Sequence, residues 1–287
     1  MPTSPPIAPL VLQPILLPKV WGGDRLARFG KAVKSGERVG ESWELADLTT
    51  TSASGAGGGA AASVIVGGPM AGKTIREAVE RWGDDLLPSK SLTGDGGFPL
   101  LIKFLDAREN LSVQVHPSPA YARAHPGANL KTECWFIMDH EPGAVIYKGF
   151  RPGVTREAFA AAMKTEPAST VAMLEAVPAR VGECHNLPSG TLHALGAGVL
   201  VAEVQTPSDT TFRTYDWGRT GRELHVEQAL ECIDFGPAPV AVDMRKNPPD
   251  GGVLQTEFFR VWRASASDEH DLPVGHGLGC FALTVLK

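Results

Sequence analysis

The sequence predicts a mainly β protein whose strands pair antiparallel and roll into a barrel-like shell. Two observations predict it. The runs SVQVH, ECWFIM, AVIYKGF, VLVAEVQ, TFRTYDW and VLQTEFFRVW are short, rich in Val, Ile, Phe, Tyr, Trp and Thr, and mostly bounded by Gly, Pro or Asp-containing turns. They also follow one another closely, as strands of an antiparallel roll do and strands of an alternating parallel α/β sheet do not.

The elements follow in order. The opening MPTSPPIAPLVLQPILLPKVWGG is apolar in part, but prolines interrupt it and no Lys or Arg precedes it, so neither a signal peptide nor a membrane span is expected. A cytoplasmic protein is the resulting expectation. Residues 49–63, TTTSASGAGGGAAAS, carry too little bulk to pack and read as a surface loop without a catalytic role. Residues 75–87 predict a helix, with Ile75, Val79, Trp82 and Leu86 spaced along one face. Two short helices are predicted at 156–164 and 169–176, forming a helical insert at about 150–180 within the β series. The Pro- and Gly-rich stretch 235–252, FGPAPVAVDMRKNPPDGG, reads as a linker. The chain therefore divides into a main β unit, residues 1–235, and a linker with a shortened β region, residues 236–287.

Composition narrows the function. With 287 residues, 43% hydrophobic and 21% charged, the chain can bury a substantial core. A net charge of -5 argues against a phosphate-backbone-binding surface, so nucleic acid is not an expected partner. Cys134, Cys184, Cys232 and Cys280 lie far apart with no C-x-x-C pair, which favours buried free thiols over a zinc ribbon or a disulfide framework.

The stretch GGPMAGKT, Gly67 to Thr74, fits the phosphate-loop pattern G-x-x-x-x-G-K-[ST]. A phosphate loop needs its Gly-Lys-Thr amides in the first turn of the following helix. Here Thr74-Ile-Arg-Glu77 spells a capping box, which starts the helix after Lys73. No βα series follows either, so the match is read as a turn before a capped helix. A kinase using Lys73 is the reading set aside.

The chemistry gathers elsewhere. Gln114 and His116 in SVQVHP are two apart, so on a strand both emerge from one face. Glu133 opens the next strand in KTECWFIM, and His193 ends a P-x-G-x-x-H arrangement begun by Pro188. If the strands close into a roll, these four supply nitrogen and oxygen ligands without a thiolate, as a catalytic metal site does. Zinc is favoured, with other divalent metals open. Downstream, VAEVQTPSDTTFRTYDWGR embeds Glu203, Ser208, Asp209, Arg213, Asp216 and Arg219 in β runs, where charges must face water or line a polar cavity.

These motifs resemble a known family. P-x-G-x-x-H before a β run is similar to the second metal motif of the cupins, and Q-V-H-P with K-T-E-x-W resembles the type I mannose-6-phosphate isomerases, or phosphomannose isomerases. The likeness begins at KVWGG and ESWE, continues through FPLLIKFLDARENLSVQVHP and KTECWFI, and ends in SDTTFRTYDWGR, with the short bacterial branch fitting best. It implies a cupin-type antiparallel jelly roll in residues 1–235, with a partial second β roll at the C-terminus. It also implies one Zn2+ per chain, held by Gln114, His116, Glu133 and His193, and the interconversion of mannose 6-phosphate and fructose 6-phosphate through a cis-enediol. Arg213 matches the family's essential arginine, while Lys131 and Glu203 match positions lining its pocket. Glu203 is the first candidate for the base, with Lys131 or a zinc-bound water as rivals, and Lys103 or Lys131 is available for the phosphate. A cupin that binds a sugar phosphate without turning it over is the alternative.

Overall fold

A computed structural model describes residues 8–49, 51–52, 54, 59–87, 96–246, 252–264, 282 and 284. Two antiparallel sheets face each other. The larger has seven strands in the order Val242–Asp243, Glu183–Leu187, Glu133–His140, Val199–Gln205, Leu101–Asp106, Val39–Leu45 and Ile15–Gly23. The smaller has five, in the order Leu174–Pro178, Val145–Phe150, His193–Leu195, Val113–Val115 and Phe212–Tyr215. This is the antiparallel roll that the spacing of the β runs predicts.

Alternation along each strand decides what lies between the sheets. On Glu133–His140, Trp135 and Ile137 point inward with Ile146, Leu187, Leu195 and Val201, forming a buried core. The intervening Cys134 and Phe136 point outward, where Cys184, Met244, Leu254 and Phe259 cover them. On Val113–Val115 the two valines face outward and are covered by Phe159 and Met163 of helix Arg156–Thr165 and by Ala229 and Cys232 of helix Val226–Cys232. Gln114 is thereby left on the inner face. The inner surface is apolar at one end and polar at the other.

The outer helix Ile75–Trp82 is shorter than the predicted 75–87, because Gly83 ends it and a 3-10 turn, Gly83–Asp85, follows. Its start agrees with the capping box. The Thr74 hydroxyl accepts from the Glu77 amide, and the Glu77 side chain accepts from the Thr74 amide. Lys73 is outside the helix and pairs with Glu77 at 2.9 Å. The glycine loop folds back on its own strand, through Gly72 N–H to Ile65 O and Ile65 N–H to Lys73 O. No helix among the described residues is long and apolar enough to cross a membrane.

Four expectations need correction. The predicted helix 169–176 is a 3-10 turn, Pro167–Met173, followed by strand Leu174–Pro178, because Leu174 pairs with Phe150 at the sheet edge. The run VLQTEFFRVW is not one strand but a hairpin, Leu254–Gln255 against Arg260–Val261, turned where the Thr256 hydroxyl accepts from the Phe258 and Phe259 amides. Part of the loop 49–63 lies outside the described residues, but its Ala61–Ala62 end pairs with Asp47–Leu48. Within the stretch read as a linker, Val242–Asp243 adds to the seven-stranded sheet beside Glu183–Leu187.

Candidate metal centre and active site

A row of polar side chains crosses the inner face of the five-stranded sheet. Register places Lys148 beside His193, His193 beside Gln114, and Gln114 beside Arg213. His116, two residues beyond Gln114, emerges on the same face. From the opposite sheet, Glu133 meets this row.

At the meeting point His116 Nε2 lies 3.4 Å from Glu133 Oε2, and His193 Nε2 lies 3.2 Å from Glu133 Oε1. The amide nitrogen of Gln114 is 3.5 Å from His193 Nε2. All of these groups except part of Gln114 are buried. The imidazoles are oriented from behind. His116 Nδ1 is 3.0 Å from the Thr210 carbonyl and His193 Nδ1 is 2.8 Å from the Thr191 carbonyl. A carbonyl only accepts, so each Nδ1 carries the hydrogen and each Nε2 presents a lone pair inward.

Of those inward atoms, only His193 Nε2 has a hydrogen-bond partner, the Gln114 amide nitrogen. His116 Nε2 and both Glu133 oxygens are buried without a hydrogen bond. Buried polar atoms are seldom left so, and a carboxylate facing two imidazole lone pairs is a set of acceptors, three of whose atoms no donor reaches. A cation fits that need. Burial, followed by the Lys131 ammonium, pushes the His116 pKa down to about 3, so the ring stays neutral and able to ligate. Burial would raise the Glu133 carboxyl, but Lys131 and His116 hold it well below the ordinary range, so it stays ionised. Lys131 Nζ lies 2.9 Å from Glu133 Oε2, out of line for a hydrogen bond.

The seven-stranded sheet extends the polar surface away from this point. Glu203 stands opposite Trp135 on one side and Lys103 on the other. Its oxygens are both engaged, Oε1 with Lys103 Nζ at 3.1 Å and Oε2 by the Trp135 indole N–H at 2.9 Å. Lys103 also donates to Gln205 at 2.8 Å and lies over the Trp43 ring. Beyond it, Glu41 accepts from the Trp43 indole and pairs with Lys19 at 3.3 Å. Burial would lift the Glu41 carboxyl, yet Lys103 and Lys19 draw it down, so the row is a chain of matched charges. Lys103 and Lys131, the two lysines that the sequence offers for phosphate, each already face a carboxylate.

Arg213 sits at the other flank. It is buried, donates from Nη1 to the Glu223 carbonyl at 2.8 Å, and leaves Nε without a partner. Burial, with Arg222 nearby, lowers its pKa. Arg219 and Arg222 both bind the single carboxylate of Asp216. Sequence reasoning gave no role to Lys19, Glu41, Gln205 or Lys148. Their only signal is a charged or amide side chain at an inward position of an otherwise apolar strand.

With this geometry in place, comparison with known proteins places the chain. Residues 11–146 match the family model of the phosphomannose isomerase type I catalytic domain. Mannose-6-phosphate isomerase ManA of Bacillus subtilis is 37% identical over 237 residues, covering 80% of this chain and 70% of that protein. This chain belongs to the type I phosphomannose isomerases. Another member, the mannose-6-phosphate isomerase of Streptococcus mutans, is 37% identical over 240 residues, covering 79% of this chain and 68% of its own. The crystal structure of the Bacillus subtilis mannose 6-phosphate isomerase matches with a TM-score of 0.73 at 31% identity, over 90% of this chain and 79% of that one. Its agreement extends the family likeness beyond the matched catalytic segment to the whole cupin-type shell.

Proposed function

We propose that this protein is a metal-dependent aldose-ketose isomerase that interconverts mannose 6-phosphate and fructose 6-phosphate. The observation that carries the proposal is the buried convergence of His116 Nε2, His193 Nε2 and the Glu133 carboxylate, in which His116 Nε2 and both carboxylate oxygens have no hydrogen-bond partner. Gln114, His116, Glu133 and His193 would hold the metal. Zinc is the metal of choice, since two imidazoles, a carboxylate and an amide oxygen form a thiolate-free set. Bound there, it would polarise the sugar oxygens and stabilise their developing negative charge.

The chain's own groups do the rest. Isomerisation moves a proton from C2 to C1 and a hydroxyl hydrogen from O2 to O1, with a cis-enediol between. Negative charge builds on O1 as C2 loses its proton, and on O2 before C1 takes it up. Arg213, buried and with an unpaired Nε–H, is suited to that charge, because a preorganised donor in a water-poor site stabilises it without reorganising. Of the two candidates, Glu203 is the carboxylate that can accept the carbon-bound proton once Lys103 or Trp135 releases an oxygen, and Lys131, an ammonium 2.9 Å from Glu133, is suited to donate to the sugar oxygens. We assign the phosphate to Arg219 and Arg222, two guanidiniums that share the Asp216 carboxylate, with Glu109 at a looser 3.7 Å from Arg219. The buried thiols of Cys134, Cys184 and Cys232 suit a reducing compartment such as the cytoplasm.

The test is turnover. Metal-loaded protein should convert mannose 6-phosphate to fructose 6-phosphate, and Arg213→Ala should lower kcat by about a hundredfold or more without loss of bound metal. Loaded protein that binds the sugar phosphate and never converts it would replace this reading with that of a binding protein.

A further inference from the structure

Residues 232–239 run from the end of helix Val226–Cys232 across the Pro188–Thr191 turn, which leads into His193. They are fastened to the shell at three points. The Asp234 amide donates to the Gly190 carbonyl at 2.8 Å. Gly190 has φ +91, and a Cβ there would meet the Cys232 carbonyl oxygen at 3.0 Å, so the two backbones are pressed together. At Gly149 a Cβ would come within 2.7 Å of the Ala238 Cβ, so only glycine lets this strap lie flat. The third fastening is Lys148, whose ammonium donates to the Pro239 carbonyl at 2.5 Å. A cavity of about 110 Å³ remains between strap and turn, bounded by Ser189, Thr191, Asp234 and Pro237 among others.

Lys148 is an unusual residue for this place. It is 5% exposed, it stands beside His193 in register, and no carboxylate lies within ion-pair distance of it among the described residues. A buried cation whose facing carboxylate, Glu183, stays beyond ion-pair distance costs stability that an apolar side chain of similar length would not. Its contribution must therefore lie in what it holds.

Resting on the metal-dependent reading above, we propose that Lys148 is a positioning residue for the metal ligand His193. By holding Pro239 it keeps the strap on the Pro188–Thr191 turn, and that turn supplies the Thr191 carbonyl that fixes the His193 imidazole through Nδ1. Partners behind a ligating histidine commonly set metal affinity by tenfold to a hundredfold.

The experiment measures zinc affinity by competition with a chromophoric chelator, and the visible spectrum of the cobalt(II)-loaded protein, for wild type, Lys148→Met and Lys148→Arg. Lys148→Met should bind zinc at least about tenfold more weakly, with an altered cobalt spectrum, while the melting temperature of its metal-free form is unchanged or raised. Lys148→Arg, which still donates to the Pro239 carbonyl, should regain most of the affinity. At saturating zinc, kcat of Lys148→Met should return close to wild type. If Lys148→Met folds poorly, Ala238→Leu, which lifts the strap from Gly149, should show the same loss. Wild-type affinity and an unchanged cobalt spectrum in Lys148→Met, or in Ala238→Leu where that replaces it, would overturn the proposal while leaving the isomerase reading intact. A wild type that binds no metal would overturn both.

Discussion

His185 shows how much a single buried side chain can ask of the fold. It is fully buried on the strand beside Trp135, and neither ring nitrogen has a hydrogen-bond partner. Burial, and then the nearby Lys148 charge, lowers its pKa to about 4. The sign follows from linkage. The unfolded chain binds a proton near the ordinary pKa of about 6.5, whereas the folded one resists until about 4, so this contribution is complete above 6.5 and is lost as pH falls toward 4. Urea midpoints of metal-free protein between pH 7 and pH 4.5 should therefore fall more steeply for wild type than for His185→Leu. Parallel slopes would show that the ring is not held neutral. Nothing in the letters CHN marks such a histidine, since its cost arises from neighbours distant in sequence. Gln114 and His116 differ in this respect: their two-residue spacing alone puts them on one strand face, and the structure brings them to Glu133 and His193. Glu41 and Lys19 were illegible as a pair because they meet only through the pairing of two strands.

At the level of elements, local chemistry decided some boundaries and tertiary pairing decided others. The start of helix Ile75–Trp82 was readable because a capping box is contained in four consecutive residues. Thr74→Ala should destabilise the protein by about 1 kcal/mol, seen as a lower urea midpoint, with isomerase activity at saturating substrate unchanged. A loss of activity without a loss of stability would give the glycine loop a role that its turn geometry does not. Strand Leu174–Pro178 was less readable. Its run begins directly after a 3-10 turn and carries Glu175 and Ala176, and it becomes a strand because Val145–Phe150 offers an open edge. The Thr256 turn was hidden for another reason: a hydroxyl accepting from two amides reverses the chain without the Gly or Pro that marks most turns.

Across the whole molecule, two sheets each contribute one polar row, and the rows meet where the ligands converge. One runs Lys148, His193, Gln114, Arg213, and the other Glu133, Glu203, Lys103, Glu41. The surrounding core is apolar, so the charges are paired along the second row, Glu133 with Lys131 included, yet both Glu133 oxygens and His116 Nε2 are left without a hydrogen bond where the rows meet. The most direct test is anomalous diffraction at the zinc edge from crystals of zinc-loaded protein. A single strong peak bounded by Gln114, His116, Glu133 and His193, with Arg213 facing the same space, is the predicted result. A stoichiometric zinc located elsewhere, with those four side chains still meeting only one another, would contradict it.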